Sequence, residues 1–317
     1  MKRAARTASR VACSLALVLV PAGIVACGSA RPGRTLVGGA PSSLSRSRSS
    51  HVIVLVMENE EAASVIGSSA APYANALARR YGLATQSFAI THPSLPNYLA
   101  LTSGATHAIG SDCTGCHVAA RNIVDQLTAA KVSWRAYMED LPSACFRGSA
   151  SAGYAKKHNP FLYYDDVASD ASRCRAIVGF DQLEADLRQA QLPTFAWITP
   201  NLCDDGHDCG VRTADRFLAR TVPLLLRELG PHGLLVLTWD EGSSRAGCCG
   251  GAASGGHIAT IVAGPDVRPH SLQRRPVDHY GVLATIERAL GLPPLGGAAD
   301  AANGTLEPLF RRPPRVR

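Results

Sequence analysis

Short runs of β-branched and other apolar residues recur along the chain at 51–57, 83–89, 132–137, 194–198, 234–239 and 258–263. Each run predicts a buried strand. Between several of them, residues 73–81, 122–130, 182–189 and 214–229 repeat their apolar positions with helical spacing. Strands alternating with helices predict a mostly parallel sheet covered on both faces, an α/β architecture. In such sheets ligands bind beyond the carboxyl ends of the strands. The unusual polar residues stand at those ends: Glu58 and Asn59 after the first run, His92 and Ser94 after the second, Asp240 and Glu241 after the fifth.

The N-terminus breaks this pattern. Lys2, Arg3, Arg6 and Arg10 precede an uncharged apolar run over 11–25, the form of an export signal over 1–26. The following Ile24-Val25-Ala26-Cys27-Gly28-Ser29 resembles a lipobox, in which Cys27 would carry the lipid anchor. An ordinary cleaved signal that happens to contain a cysteine is the rival reading. Residues 27–50 are rich in Gly, Ser, Pro and Arg and read as a flexible tether, with one large domain expected over 51–317. Without the four basic residues of the signal the net charge falls from +7 to +3, which removes the main support for a nucleic-acid partner. Eight cysteines remain after Cys13 and Cys27, an even number in an exported chain, so disulfides are expected. Local closures Cys113 to Cys116 and Cys203 to Cys209 fit, but the pairing stays open. A zinc site at Cys113 and Cys116 lacks a second CxxC pair.

The strand-end residues suggest chemistry. Three carboxylates and an amide brought together would repel unless a cation lay between them, and an oxygen-rich set suits a hard divalent ion. Acidic residues also follow strands as ordinary turn formers, so one such pair alone is weak. In Thr91-His92-Pro93-Ser94-Leu95-Pro96-Asn97-Tyr98 two prolines stiffen the backbone and present Ser94 at a helix start, either as a nucleophile or merely as the helix cap. Pro200 to Asp208 follows a further strand, and His207 there is a candidate general acid oriented by Asp208. Lys157, His158 and Asn159 offer a cation and hydrogen-bonding groups for phosphate oxygens. His257 and His279 are further candidates.

The ordered series VIVLVMEN, THPSLPNYLALTSG, WRAYMEDLP, YAKKHNPF, ITPNLCDDGHD, LTWDEG, GGHIATIVAGP and DHYGVLATIERALGLPPLG resembles the phosphoesterase family that contains bacterial acid phosphatases and phospholipases C. The resemblance implies an alkaline-phosphatase-like three-layer α/β/α sandwich. It implies one divalent metal (Ca, Mg, Mn or Fe) among Glu58, Asn59, Ser94, Asp240 and Glu241, with Ser94 as nucleophile and His207 as general acid. His92, Asn97, His158 and Asp208 are placed around the phosphate. Glu241 stands where other members carry Asp, and the glycine-rich Cys248-Cys249 segment departs from the family pattern and is expected to form a flap. The function expected is an exported or lipid-anchored, outward-facing phosphatase for phosphate monoesters of small molecules or lipid headgroups, phosphoinositides among them. A phospholipase C type of diesterase and a non-catalytic phosphate-binding lipoprotein are the alternatives.

Overall fold

The computed structural model describes residues 49–316 apart from 252. The signal over 1–26, Cys27 and most of the tether lie outside the described residues. The main sheet has nine strands: β1 (Val52–Met57), β2 (Gly82–Phe88), β3 (Trp134–Met138), β4 (Ile177–Val178), β5 (Phe195–Thr199), β6 (Leu234–Trp239), β7 (His257–Ala263), β8 (Ser271–Gln273) and β9 (Val277–Asp278). Their order is β8-β2-β7-β6-β1-β5-β3-β4, with β9 also paired to β2. All neighbours run parallel except at β7, which is antiparallel to both β2 and β6. The reversal of that one strand leaves β1, β2, β5 and β6 with their carboxyl ends on one edge.

Among the described residues six helices of seven residues or more flank the sheet: α1 (Pro72–Arg80), α2 (Ser94–Ser103), α3 (Ile123–Ala129), α4 (Phe180–Gln189), α5 (Val211–Glu228) and α6 (His279–Leu290). Alternation along β1 divides them into two layers. Val52, Val54 and Val56 pack with Leu95, Leu99, Val124, Leu127 and Ile286 of α2, α3 and α6. Ile53, Leu55 and Met57 pack with Leu77, Leu183, Phe217 and Leu225 of α1, α4 and α5. This is the three-layer α/β/α sandwich. Every side chain of β1 is fully buried, and burying one such side chain contributes about 1.5–3 kcal/mol, so a charge is tolerated only where the chain leaves the sheet, at Glu58.

The six strand runs are all found, with ends shifted by no more than two residues. Strands β4, β8 and β9, of two or three residues, are too short to imprint a period on the sequence. Helix α6 is not among the helical runs read from the sequence: nine of its twelve residues are buried, the polar His279, Thr285 and Glu287 among them, so no one-sided apolar stripe marks it. The disulfides are Cys113–Cys116, Cys145–Cys174, Cys203–Cys209 and Cys248–Cys249. The first leaves no thiolate for zinc at the CxxC pair. Among the described residues no helix is long and apolar enough to cross a membrane.

Candidate active site

Register assembles the site. Met57 of β1 lies opposite Trp239 of β6, so Glu58 and Asp240 leave the sheet side by side. The peptide of Asn59 turns back with a positive φ of 56° and donates its N–H to Asp240 Oδ1 at 3.0 Å. The loop after β5 is tied to the same place, because Glu58 N–H donates to the carbonyl of Asp205 at 3.1 Å. Helix α2 then brings Ser94 over the group. Pro93 occupies the N-cap position and caps nothing, and Ser94 is the first helical residue. The Ser94 hydroxyl does not cap the helix: its Oγ lies 3.2 Å from Glu58 Oε2 and 3.4 Å from Glu241 Oε1, the two acceptors its single proton can serve.

The floor of the site is dry and acidic. Glu58, Asp205 and Asp240 are fully buried and Glu241 nearly so. Burial, followed by the charges of Asp240 and Asp205, raises the Glu58 carboxyl well above its usual range. Burial pushes Asp205 up to about 7, and burial with the neighbouring Glu241 pushes Asp240 up to about 8. Burial also raises Glu241, while its 2.5 Å contact with His92 Nδ1 opposes the shift. Tyr98 donates its hydroxyl to Glu58 Oε1. His158, buried beneath the site, has Nε2 3.2 Å from Glu58 Oε2 and Nδ1 3.4 Å from Asp205 Oδ2. Burial, then Lys157 and His207, hold the imidazole well below its ordinary pKa, hence neutral. The two His158 contacts lack hydrogen-bond geometry, so Asp205 Oδ2, His158 Nε2 and also Asp240 Oδ2 have no hydrogen-bond partner among the described residues. Glu58, His158 and Asp205 each bring one ligand atom within 4.8 Å of the others. Buried oxygens without donors, on carboxylates that repel one another, fit a divalent cation.

The mouth is wetter. His207 Nδ1 is 2.7 Å from Asp208 Oδ1, and its Nε2 is 3.1 Å from Lys157 Nζ. The lysine must donate, so Nε2 accepts and the ring carries its proton on Nδ1. Lys157 also donates to Asp112 Oδ2 at 3.1 Å; burial works against its charge, but Asp112 together with Glu58 and Asp240 outweighs this and raises its pKa. Thus Glu58, Ser94, Asp240, Glu241, His92, His158, His207 and Asp208 come together as a group. Asn59 reaches it through its backbone, and its side chain makes no hydrogen bond among the described residues.

Asn97 differs from the expectation. Its Oδ1 accepts from the N–H groups of Ile90 and Thr91, and its Nδ2 donates to the carbonyls of Thr91 and Pro93, which uses its full bonding capacity on the loop before α2. It shapes the loop that presents Ser94, with nothing left for a phosphate oxygen. His158 likewise spends both ring nitrogens facing Glu58 and Asp205, with its ring 5.6 Å from that of His207. His257 turns away to the carbonyl of Thr85, and His279, pushed down to about 4 by burial, donates Nε2 to the carbonyl of Asp240 at 2.5 Å. Three residues escaped the sequence reading: Asp205, Tyr98 and Asp112. The strand-end signal that found Glu58 and Asp240 also covers Asp205, which follows β5 by six residues; Tyr98 and Asp112 carry no such signal.

The fold is that of the alkaline phosphatase superfamily. A superfamily member from Vibrio parahaemolyticus aligns with a TM-score of 0.53 at 12% identity, covering 81% of this chain and 72% of that one. The lipoteichoic acid synthase LtaP of Listeria monocytogenes aligns at 0.55 and 12%, covering 81% and 76%. The model of the Phosphoesterase family matches residues 67–293, and the chain belongs to that family of phosphoric ester hydrolases. It is 34% identical to a phosphatidylinositol-3-phosphatase of Mycobacterium tuberculosis over 79% of this chain and 80% of the relative. It is 33% identical to a phosphate-repressible acid phosphatase of Penicillium chrysogenum over 72% of this chain but only 56% of that longer protein. Ser94, His207 and Asp240 fall inside the matched stretch, whereas Glu58 and Asn59 precede it.

Proposed function

We propose that the chain is an exported, metal-dependent phosphatase that hydrolyses phosphate monoesters through Ser94. The observation that carries this reading is the Ser94 hydroxyl at the start of α2, within hydrogen-bond reach of two of four buried carboxylates. Glu58, Asp205, Asp240 and Glu241, with His158, would hold the cation, and Asn59 stands beside them. Bound there, a divalent cation supplies Lewis-acid stabilisation of phosphoryl charge and makes a nearby hydroxyl more acidic. The carboxylates accept the Ser94 proton as Oγ attacks phosphorus in line; the new Oγ–P bond forms while the bond to the leaving alcohol breaks. His207, once protonated at Nε2 and held by Asp208, gives its proton to the leaving alkoxide. Water then attacks the phosphoserine, giving one proton to His207 as its oxygen bonds phosphorus; the Oγ–P bond breaks, Ser94 Oγ takes its proton back from the carboxylates, and phosphate leaves. Because Nε2 faces Lys157 in the resting arrangement, the lysine must first turn toward the phosphoryl group.

Phosphoinositides are proposed among the substrates, supported by the mycobacterial relative's name. Export is supported by the N-terminal pattern and by four disulfides among the described residues, and outward anchoring through Cys27 by the lipobox alone. The test is Ser94→Ala assayed on an aryl phosphate, with phosphatidylcholine as a diester control. Turnover should fall at least ~10³-fold while melting stays close to wild type. A folded Ser94→Ala enzyme that still turns over would exclude Ser94 as nucleophile, and a preference for phosphatidylcholine would move the chain to the diesterases.

A further inference from the structure

Asp112 is a carboxylate that no step above uses. Its loop, which follows α2 in the chain, is closed by Cys113–Cys116 and held by Lys156 Nζ on the carbonyl of Thr114 at 2.7 Å. From there it reaches two donors at once. Oδ1 accepts from the N–H of Leu95 at 3.0 Å, and Oδ2 accepts from Lys157 Nζ at 3.1 Å. Leu95 N–H is the amide next to Ser94 in the first turn of a ten-residue helix, at the positive end of its dipole. A first-turn amide and a lysine ammonium are the donors that bind phosphoryl oxygens elsewhere.

We propose that Asp112 is a built-in competitor for the substrate's phosphoryl group: it holds Leu95 N–H and Lys157 Nζ in the resting enzyme, and the entering phosphoryl group displaces it from both. The inference rests on the phosphatase reading for the place of the phosphoryl group. Displacement is required by charge and allowed by exposure. The Asp112 charge is felt by Glu241 on the floor, so a phosphoryl dianion arriving beside a retained Asp112 would add to an acidic group already in mutual repulsion. Its side chain is 26% exposed and can turn to water. When Lys157 follows the phosphoryl group it also leaves His207 Nε2, freeing the nitrogen that must be protonated to serve the leaving alcohol. Asp112 is thereby a specificity residue: it sets how strongly a phosphoryl group must bind to enter and helps expel inorganic phosphate at the end of the cycle.

The competing role is purely structural. With Pro93 unable to cap α2, Asp112 would serve only as a remote cap, and its removal would lower stability without altering phosphate binding. Titration calorimetry of inorganic phosphate into the full enzyme, with Asp112→Asn and Asp112→Ala beside wild type, separates the two roles. Asn retains an acceptor for Leu95 but loses its pull on Lys157, whereas Ala loses both. Phosphate should therefore bind about tenfold tighter to Asp112→Asn and tighter still to Asp112→Ala, and the aryl phosphate KM should fall together with kcat as product leaves more slowly. Adding Lys157→Ala should abolish the gain of Asp112→Asn and leave Asp112→Ala only the part that comes from the freed Leu95 N–H. Unchanged or weaker phosphate binding in folded variants, with only a lowered melting temperature, would overturn the proposal. If Asp112→Ala does not fold, Asp112→Asn decides alone. The binding measurement needs no turnover, so it still discriminates if Ser94 proves not to be the nucleophile.

Discussion

The floor and the mouth of the site use the same kinds of side chain in different amounts of water. On the floor, Glu58, Asp205 and Asp240 are fully buried and burial pushes their carboxyls up, so as a set they must take up protons or a cation. At the mouth, Asp112 and Lys157 keep 26% and 22% exposure and pair directly. Dry carboxylates are committed to one partner, because an unpaired buried charge is too costly to hold. Partly exposed ones can exchange partners, because water can take over the bonds a departing partner leaves. Under the proposed function, the contrast would let one cleft both fix a cation and release a product anion.

The largest test of the contrast is on the floor. Asp205→Asn removes one carboxylate that has an unpaired oxygen, and turnover should drop by ~10²-fold or more along with most of the melting-temperature increase produced by divalent cation. Retention of both would show that Asp205 is only a structural acid. A smaller effect is expected at the mouth. His207→Gln should reduce hydrolysis of an alkyl phosphate by about 10²-fold and that of an aryl phosphate with a good leaving group much less, because only the former needs a proton donor. Equal losses on both substrates would remove His207 from that role.

The mildest test uses no mutation. Asp205 and Asp240 bind protons more tightly in the fold than at their ordinary value of 3.8, reaching about 7 and about 8. Between pH ~4 and ~8 the native state therefore holds more protons than the unfolded chain, and the stability this confers is lost as pH rises. Chelated protein should melt at least ~5 °C lower at pH 8 than at pH 5, and divalent cation should flatten that slope. A flat profile after chelation would mean that the acids are neutralised by something other than protons or metal.

How much of this was legible in the chain depended on the range of the physics. The apolar runs declared six strands, because a strand buried on both faces must be apolar throughout, and they located Glu58 and Asp240 as the first charges after fully buried segments. Pro93 and Pro96 marked the helix start that presents Ser94. The ordered motifs carried the family, which the match over 67–293 shows. Local spacing also found two of the four disulfides, those between cysteines three and six residues apart.

What the tertiary structure alone decided was which groups share a space without water. The register of β1 against β6 set Glu58 beside Asp240 across more than 180 residues, and the turn after β5 brought in Asp205. Burial then gave similar side chains different surroundings: His158 is buried against Glu58 and Asp205, His207 is partly exposed between Asp208 and Lys157, Asn97 is used up on backbone, and Asp112 pairs with Lys157 and the Leu95 N–H. A sequence records the side chains and their order. Desolvation and distance arise only when remote segments meet, and those two quantities separate a group suited to hold a cation, a group proposed to transfer a proton and a group that shapes a loop.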